Sequence, residues 1–134
     1  MRRLVRDRAN GYCEYCLIHE DDSLFAHEPD HIVARKHRGL TVAENLAWIC
    51  LVCNRFKGSD LSSIDVQTGK LVPLFNPRTD RRSEHFRLAK NGRIIPLTPI
   101  GRVTASLLKL NLPNTVELRR VRLKAKPYPP AILT

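Results

Sequence analysis

Aromatic residues make up only 6% of this 134-residue chain, with a single Trp. Stacking on flat rings is therefore not the main way it would hold a ligand. Long apolar runs are missing as well, and none approaches the roughly 18 residues of a membrane span. The basic start at residues 1–8 lacks the apolar stretch and small-residue cleavage site of a signal peptide. A soluble, cytoplasmic protein with no membrane partner is expected. Acidic residues are scarce: 13 against 23 Lys plus Arg, a formal charge of +10 and a pI near 10.0. No internal repeat or low-complexity tract appears. With 43% apolar residues, the chain can bury on the order of two thirds of its unfolded surface in one compact domain. Collagen-like, disulfide-scaffold and wholly disordered chains are excluded. On charge alone, a polyanion is the favoured partner.

The four cysteines fall in two pairs, Cys13 with Cys16 and Cys50 with Cys53. A pair two residues apart forms one edge of a zinc tetrahedron, because the knuckle turn aims both sulfurs at one point. Two knuckles complete a closed site. Disulfides are the competing reading, but no secretory signal argues for an oxidising compartment. A redox pair is disfavoured by its occurring twice in so small a chain. A closed tetrathiolate leaves no open position, so one structural Zn2+ is expected and any catalysis must use other residues.

Between the knuckles, residues 24–33 predict a strand broken by Pro29. Residues 34–44 form a basic loop with Arg35, Lys36 and Arg38, and residues 45–49 a second strand entering the second knuckle. One or two helical turns are expected after Cys53. These elements would gather Asp30, His31, Asn45 and Asn54. Singly, each has an ordinary role: His31 a surface or satisfied histidine, Asp30 a turn cap, Asn45 a loop end, Asn54 an N-cap. Together, at this spacing around the second knuckle, they point elsewhere.

The run Cys13-x-x-Cys16, Asp30-His31-Ile32, Asn45-Leu46, Cys50-x-x-Cys53-Asn54 and Lys57-Gly58 resembles the HNH endonucleases of the zinc-containing ββα-metal group. The resemblance covers residues 13–58. Residues 65–110 resemble a C-terminal extension of many small bacterial members. An α+β fold is implied: a ββα-metal core stapled by the four-cysteine zinc site, an N-terminal helix, and a C-terminal hairpin-plus-helix extension. The nuclease core would span residues 1–64, the extension 65–126 and a tail 127–134.

The resemblance also implies roles. His31 is the general base, Asp30 and Asn54 hold a catalytic divalent cation, and Asn45 braces the loop so that His31 points correctly. Asn54 stands where many members have a final histidine, which makes this an HNN variant. A carboxylate with an amide oxygen is a hard donor set that suits Mg2+ or Mn2+. Arg35, Lys36, Arg38, Arg55 and Lys57 are the expected nucleic-acid contacts, made through the backbone of double-stranded DNA by a monomer or homodimer. Many members have tryptophan at the place of Arg82 and glycine at that of Arg38. Adjacent Asp30 and His31 should face opposite sides of a strand, so Pro29 is expected to introduce a bulge or strand end.

Elsewhere, Met1, Leu4, Val5 and Ala9 predict one face of a first helix. Residues 65–70 read as a turn, and Asn91-Gly92 as a type I′ hairpin turn between residues 85–89 and 93–97. A helix should open at Thr98-Pro99 with Ile100, Val103, Leu107 and Leu108 on one face. Residues 116–126 read as a further helix. Glu84 and His85 are assigned to hairpin support. Positive charge gathers at residues 2–8, 35–38 and 119–126. The rival to an endonuclease is a catalytically inactive, zinc-stabilised nucleic-acid-binding module. An RNA-binding or ribosome-associated zinc protein fits the charge but gives no reason for the Asp-His pair.

Overall fold

A computed structural model describes residues 1–125 and Tyr128. Apart from Tyr128, the expected tail at 127–134 lies outside the described residues. The fold is α+β, with short helices around three two-stranded antiparallel sheets.

Helix α1, Arg2–Arg8, is followed by the cysteine-bearing turn of the first knuckle. Strand β1, Glu28–His31, pairs with β2, Leu46–Ile49. The pairing is continuous from Glu28 opposite Ile49 to His31 opposite Leu46, so Pro29 introduces no bulge; β1 simply ends at His31. All four residues of β2 are buried. Their alternation divides them between two sides. Leu46 and Trp48 pack with Val5 and Ala9 of the first helix, while Ala47 and Ile49 join the cysteines and the main core.

The face expected for α1 is correct in Val5 and Ala9 but not in Met1 and Leu4, which are 62% and 50% exposed. Arginines take up the remaining contacts. The Arg2 guanidinium donates to the His27 carbonyl and lies 5.1 Å from the centre of the Trp48 ring. Arg8 donates to the carbonyls of Ala43 and Leu46.

Helix α2, Leu51–Lys57, starts within the second knuckle rather than after it. Cys50 is its N-cap, and its Sγ accepts from the Cys53 N–H at 3.4 Å. Asn54 therefore sits inside the helix, and the N-cap reading fails.

In the extension, β3 (Ser62–Ile64) and β4 (Leu71–Pro73) pair across the turn at 65–70. The short α3, Arg82–His85, leads into the hairpin β5 (Phe86–Leu88) and β6 (Ile94–Pro96). The hairpin turn is not type I′. Among non-glycine residues with positive φ Asn91 is absent, while Gly92 has φ 90°. Gly92 N–H donates to Ala89 O, and Ala89 N–H to Arg93 O. This is the three-residue loop in which a type I turn is followed by a left-handed glycine. Helix α4, Pro99–Leu107, is capped by the Thr98 side chain, and α5, Pro113–Leu123, is the last helix among the described residues. The main core is one cluster, running from Cys13 and Cys53 through Phe75, Phe86 and Ile94 to Leu110. No helix among the described residues is long and apolar enough to cross a membrane.

Candidate active site and metal centre

Cys13, Cys16, Cys50 and Cys53 are buried, unpaired in disulfides, and their Sγ atoms all lie within 4.8 Å of one another. In each knuckle the second cysteine's N–H donates to the first one's Sγ, at 3.5 Å for Cys16 to Cys13 and 3.4 Å for Cys53 to Cys50. Burial opposes ionisation of Cys13, yet hydrogen bonds from Cys16, Cys50 and Cys53 carry its thiol well below the usual range. Four sulfurs this close, sealed from water and with backbone donors aimed at them, are a donor set suited to a zinc ion. The disulfide alternative is removed by the free thiols.

The second cluster lies at the end of β1. Asp30 Oδ2 accepts from Lys57 Nζ at 3.1 Å. The next residue, His31, meets a different partner: its Nε2 shares a 2.8 Å hydrogen bond with Thr41 Oγ1. Strand alternation thus sends the carboxylate toward α2 and the imidazole toward the loop. The His31 carbonyl completes the link, accepting from the same Lys57 Nζ at 3.0 Å.

Asn45 ties both ends of the basic loop. Its Oδ1 accepts from Val33 N–H at 2.9 Å, and its Nδ2 donates to the carbonyls of Val33 at 2.9 Å and Leu40 at 2.8 Å. Gly39 lies under this brace, where a Cβ would come within 1.7 Å of Val33 O. Arg38, just before it, has φ 69°, the left-handed conformation that glycine adopts without cost. The glycine common at this place in the resembling proteins thus has a backbone reason.

Asn54 is half-buried on α2, one turn before Lys57 and on the same helix face. On that face it is Lys57 that bonds to Asp30. The expected phosphate contacts separate into two groups. Arg35, Lys36 and Arg38 lie on the loop that begins beside His31, all three exposed along it. Lys57 must be corrected: its side chain is only 3% exposed, and its ammonium is directed at Asp30 and two carbonyls rather than at solvent. Arg55 is exposed but projects from the side of α2 away from Lys57, where it lines a cavity of about 480 Å³ with Val52, Phe56 and Leu118.

Two partners in this cluster escape a reading of the sequence. Thr41 lies ten positions beyond His31 in a loop without periodicity. Lys57 is legible as a cation, but its carboxylate partner is 27 positions away. His85 bonds through Nδ1 to Thr98 Oγ1 at 2.6 Å, inside the extension and at the foot of its hairpin.

In comparison with known proteins, residues 13–60 fit the family described as HNH endonuclease. No curated protein and no solved structure matches the chain.

Proposed function

We propose, from the premise that residues 13–60 are an HNH endonuclease domain, that the protein hydrolyses phosphodiester bonds in double-stranded DNA, one strand per active site. The observation that carries this reading is the divergence at the end of β1. A carboxylate and an imidazole on consecutive residues are each held by a separate partner, Lys57 for Asp30 and Thr41 for His31, next to a loop rich in cations.

His31 is the general base. With Nε2 protonated and donating to Thr41, Nδ1 is the nitrogen that takes a proton from water, and a neutral imidazole does this near pH 7. The water oxygen attacks phosphorus, the bond from phosphorus to the 3′ oxygen breaks, and the departing oxygen is protonated from solvent. Asn45 keeps the loop closed over Gly39, which fixes Thr41 relative to His31. Arg35, Lys36 and Arg38 hold phosphates flanking the scissile one.

Asp30, through its second carboxylate oxygen, and Asn54, through its amide oxygen, would hold Mg2+ or Mn2+. Oδ2 of Asp30 is engaged by Lys57 and the side chain as a whole is 20% exposed, so Oδ1 is the oxygen that would serve the cation. When bound, such a cation withdraws charge from a phosphate oxygen and from the departing 3′ oxygen. The sulfur-bound zinc is scaffolding. Residues 1–64 would form the nuclease unit and 65–126 its extension, whose described part, residues 65–125, packs on the core.

Incubation of the zinc-loaded chain with supercoiled plasmid tests this. Relaxed circles should appear only with added Mg2+ or Mn2+, and His31→Ala should lose them while still retarding the plasmid on a gel. Plasmid that shifts but stays intact under every cation would identify an inactive binding module instead.

A further inference from the structure

The proposed reaction does not use the most deeply buried cation of the site. Lys57 has 3% of its side chain exposed. Its three ammonium protons face three oxygens: Asp30 Oδ2 at 3.1 Å, His31 O at 3.0 Å and Gly58 O at 3.5 Å. A lysine is rarely buried unless its charge is matched, and here the matching charge is the carboxylate expected to bind the divalent cation. One oxygen of Asp30 is already engaged, so the carboxylate can offer only the other. The fixed charge of the donor set, −1 for Asp30 and 0 for Asn54, is also cancelled by +1 from Lys57.

We propose that Lys57 is a positioning residue that makes cation loading depend on the nucleic acid: it orients Asp30 and keeps the empty site electroneutral until a phosphate diester restores net negative charge. This inference rests on the reading of Asp30 as a cation ligand. A hard dication at an electroneutral pair of oxygens must keep most of its water and gains little Coulomb attraction. With one non-bridging phosphate oxygen added, the same site carries −1 and a third hard donor. The cation and the DNA then strengthen one another's binding by the same factor.

The probe is Mn2+ alone, titrated by electron paramagnetic resonance into the zinc-loaded chain, without DNA and with an ordinary phosphodiester duplex, every chain compared also carrying His31→Ala so that the duplex stays intact. Lys57→Gln keeps a neutral donor for Asp30 and removes the charge. It should bind Mn2+ about tenfold or more tightly than the wild type without DNA, and the gain on adding duplex should shrink correspondingly. Lys57→Arg keeps the charge and should retain weak binding. Zinc content and circular dichroism report whether each variant is folded. A merely structural lysine would leave Mn2+ affinity unchanged or lower it on substitution, and that result overturns the proposal. So does a chain with Lys57 in place that binds Mn2+ equally well with and without duplex, a measurement that needs no change at Lys57. Equal affinities of wild type and Lys57→Gln that both vanish with Asp30→Asn would remove the role of Lys57 alone. Mn2+ binding unaffected by Asp30→Asn would remove the cation site itself, and this proposal with it.

Discussion

Thr41 shows how little an imidazole at a strand end needs in order to be directed. A single hydroxyl at 2.8 Å from His31 Nε2 holds one ring nitrogen, and under the proposed function this leaves Nδ1 to act as the base. General-base catalysis is worth about 10²–10⁴-fold, and it depends on holding the base within reach of its proton. Thr41→Val, nearly the same shape without the acceptor, is expected to lower kcat for plasmid nicking by about tenfold. DNA affinity should be unchanged and Thr41→Ser should recover most of the rate. A single-turnover nicking assay beside a filter-binding assay checks the split; equal loss in both would assign Thr41 to the fold. Asn45 acts at the same scale with more at stake, because it pairs three backbone groups of the loop. Thr41 has no local signature in the sequence, whereas Asn45 is legible through its place between the Asp-His pair and the second knuckle. Lys57 is misread for a related reason. A lysine near the end of a short helix ordinarily faces water, and nothing within its own turn announces a carboxylate 27 positions earlier.

At the scale of elements, three basic runs that look alike in the sequence have three different fates. In α1, Arg2 and Arg8 are bound to carbonyls of the first hairpin and its approach, and Arg6 pairs with Glu20 and Asp7. In α5, Arg119 is fully buried, Arg120 pairs with Glu117 and Arg122 with Asp22. Between these runs, Arg35, Lys36 and Arg38 are all exposed on the loop that follows β1 and its terminal His31. Charge density alone cannot make this distinction, since partners come from distant segments. The elements themselves are more legible: the apolar run of β2, the Thr98-Pro99 start of α4 and the glycine turn between β5 and β6 each carry local signals. The hairpin turn type does not, because Asn91-Gly92 suits both a two-residue loop and the three-residue loop that is found. If the loop run holds phosphates, the triple variant Arg35→Gln, Lys36→Gln, Arg38→Gly should flatten the slope of log K against log salt by about 0.9 for each phosphate no longer neutralised. The glycine at position 38 also relieves a left-handed arginine. Substituting Arg2 and Arg8 should instead lower the melting temperature with the salt slope intact, and fluorescence titrations at several salt concentrations would separate the two.

For the whole molecule, the cysteine quartet and the extension are one structure. The four cysteines share a continuous cluster with Phe75, Phe86, Ile94, Val103, Leu108 and Leu110. Three arginines of the extension hold the first knuckle directly. Arg78 pairs with the buried Glu14 carboxylate, Arg82 donates to the Glu14 carbonyl at 3.0 Å, and Arg119 donates to the Cys16 carbonyl at 3.0 Å. Arg82 also lies 4.9 Å from the centre of the Phe86 ring and 5.9 Å from that of Phe75, where a planar cation packs against the rings of the core. Burial lowers the Arg82 guanidinium to about 10, opposed by the sulfurs of Cys13 and Cys16, so it remains charged at neutral pH beside the cysteine cluster. Metal binding at a structural zinc site supplies on the order of 10 kcal/mol to folding, which is comparable to the whole net stability of about 5–15 kcal/mol for a domain. Removing the metal should therefore unfold the extension together with the knuckles rather than leave it standing. Stripping zinc with a strong chelator and following amide hydrogen exchange is expected to give one transition, in which the amides of β5, β6 and α4 lose protection together with that of Cys53. Restoring zinc should return both at the same rate. Protection that survives in α4 after the cysteines have opened would show that the extension folds on its own, and the arginine contacts would then be docking contacts between two independent units.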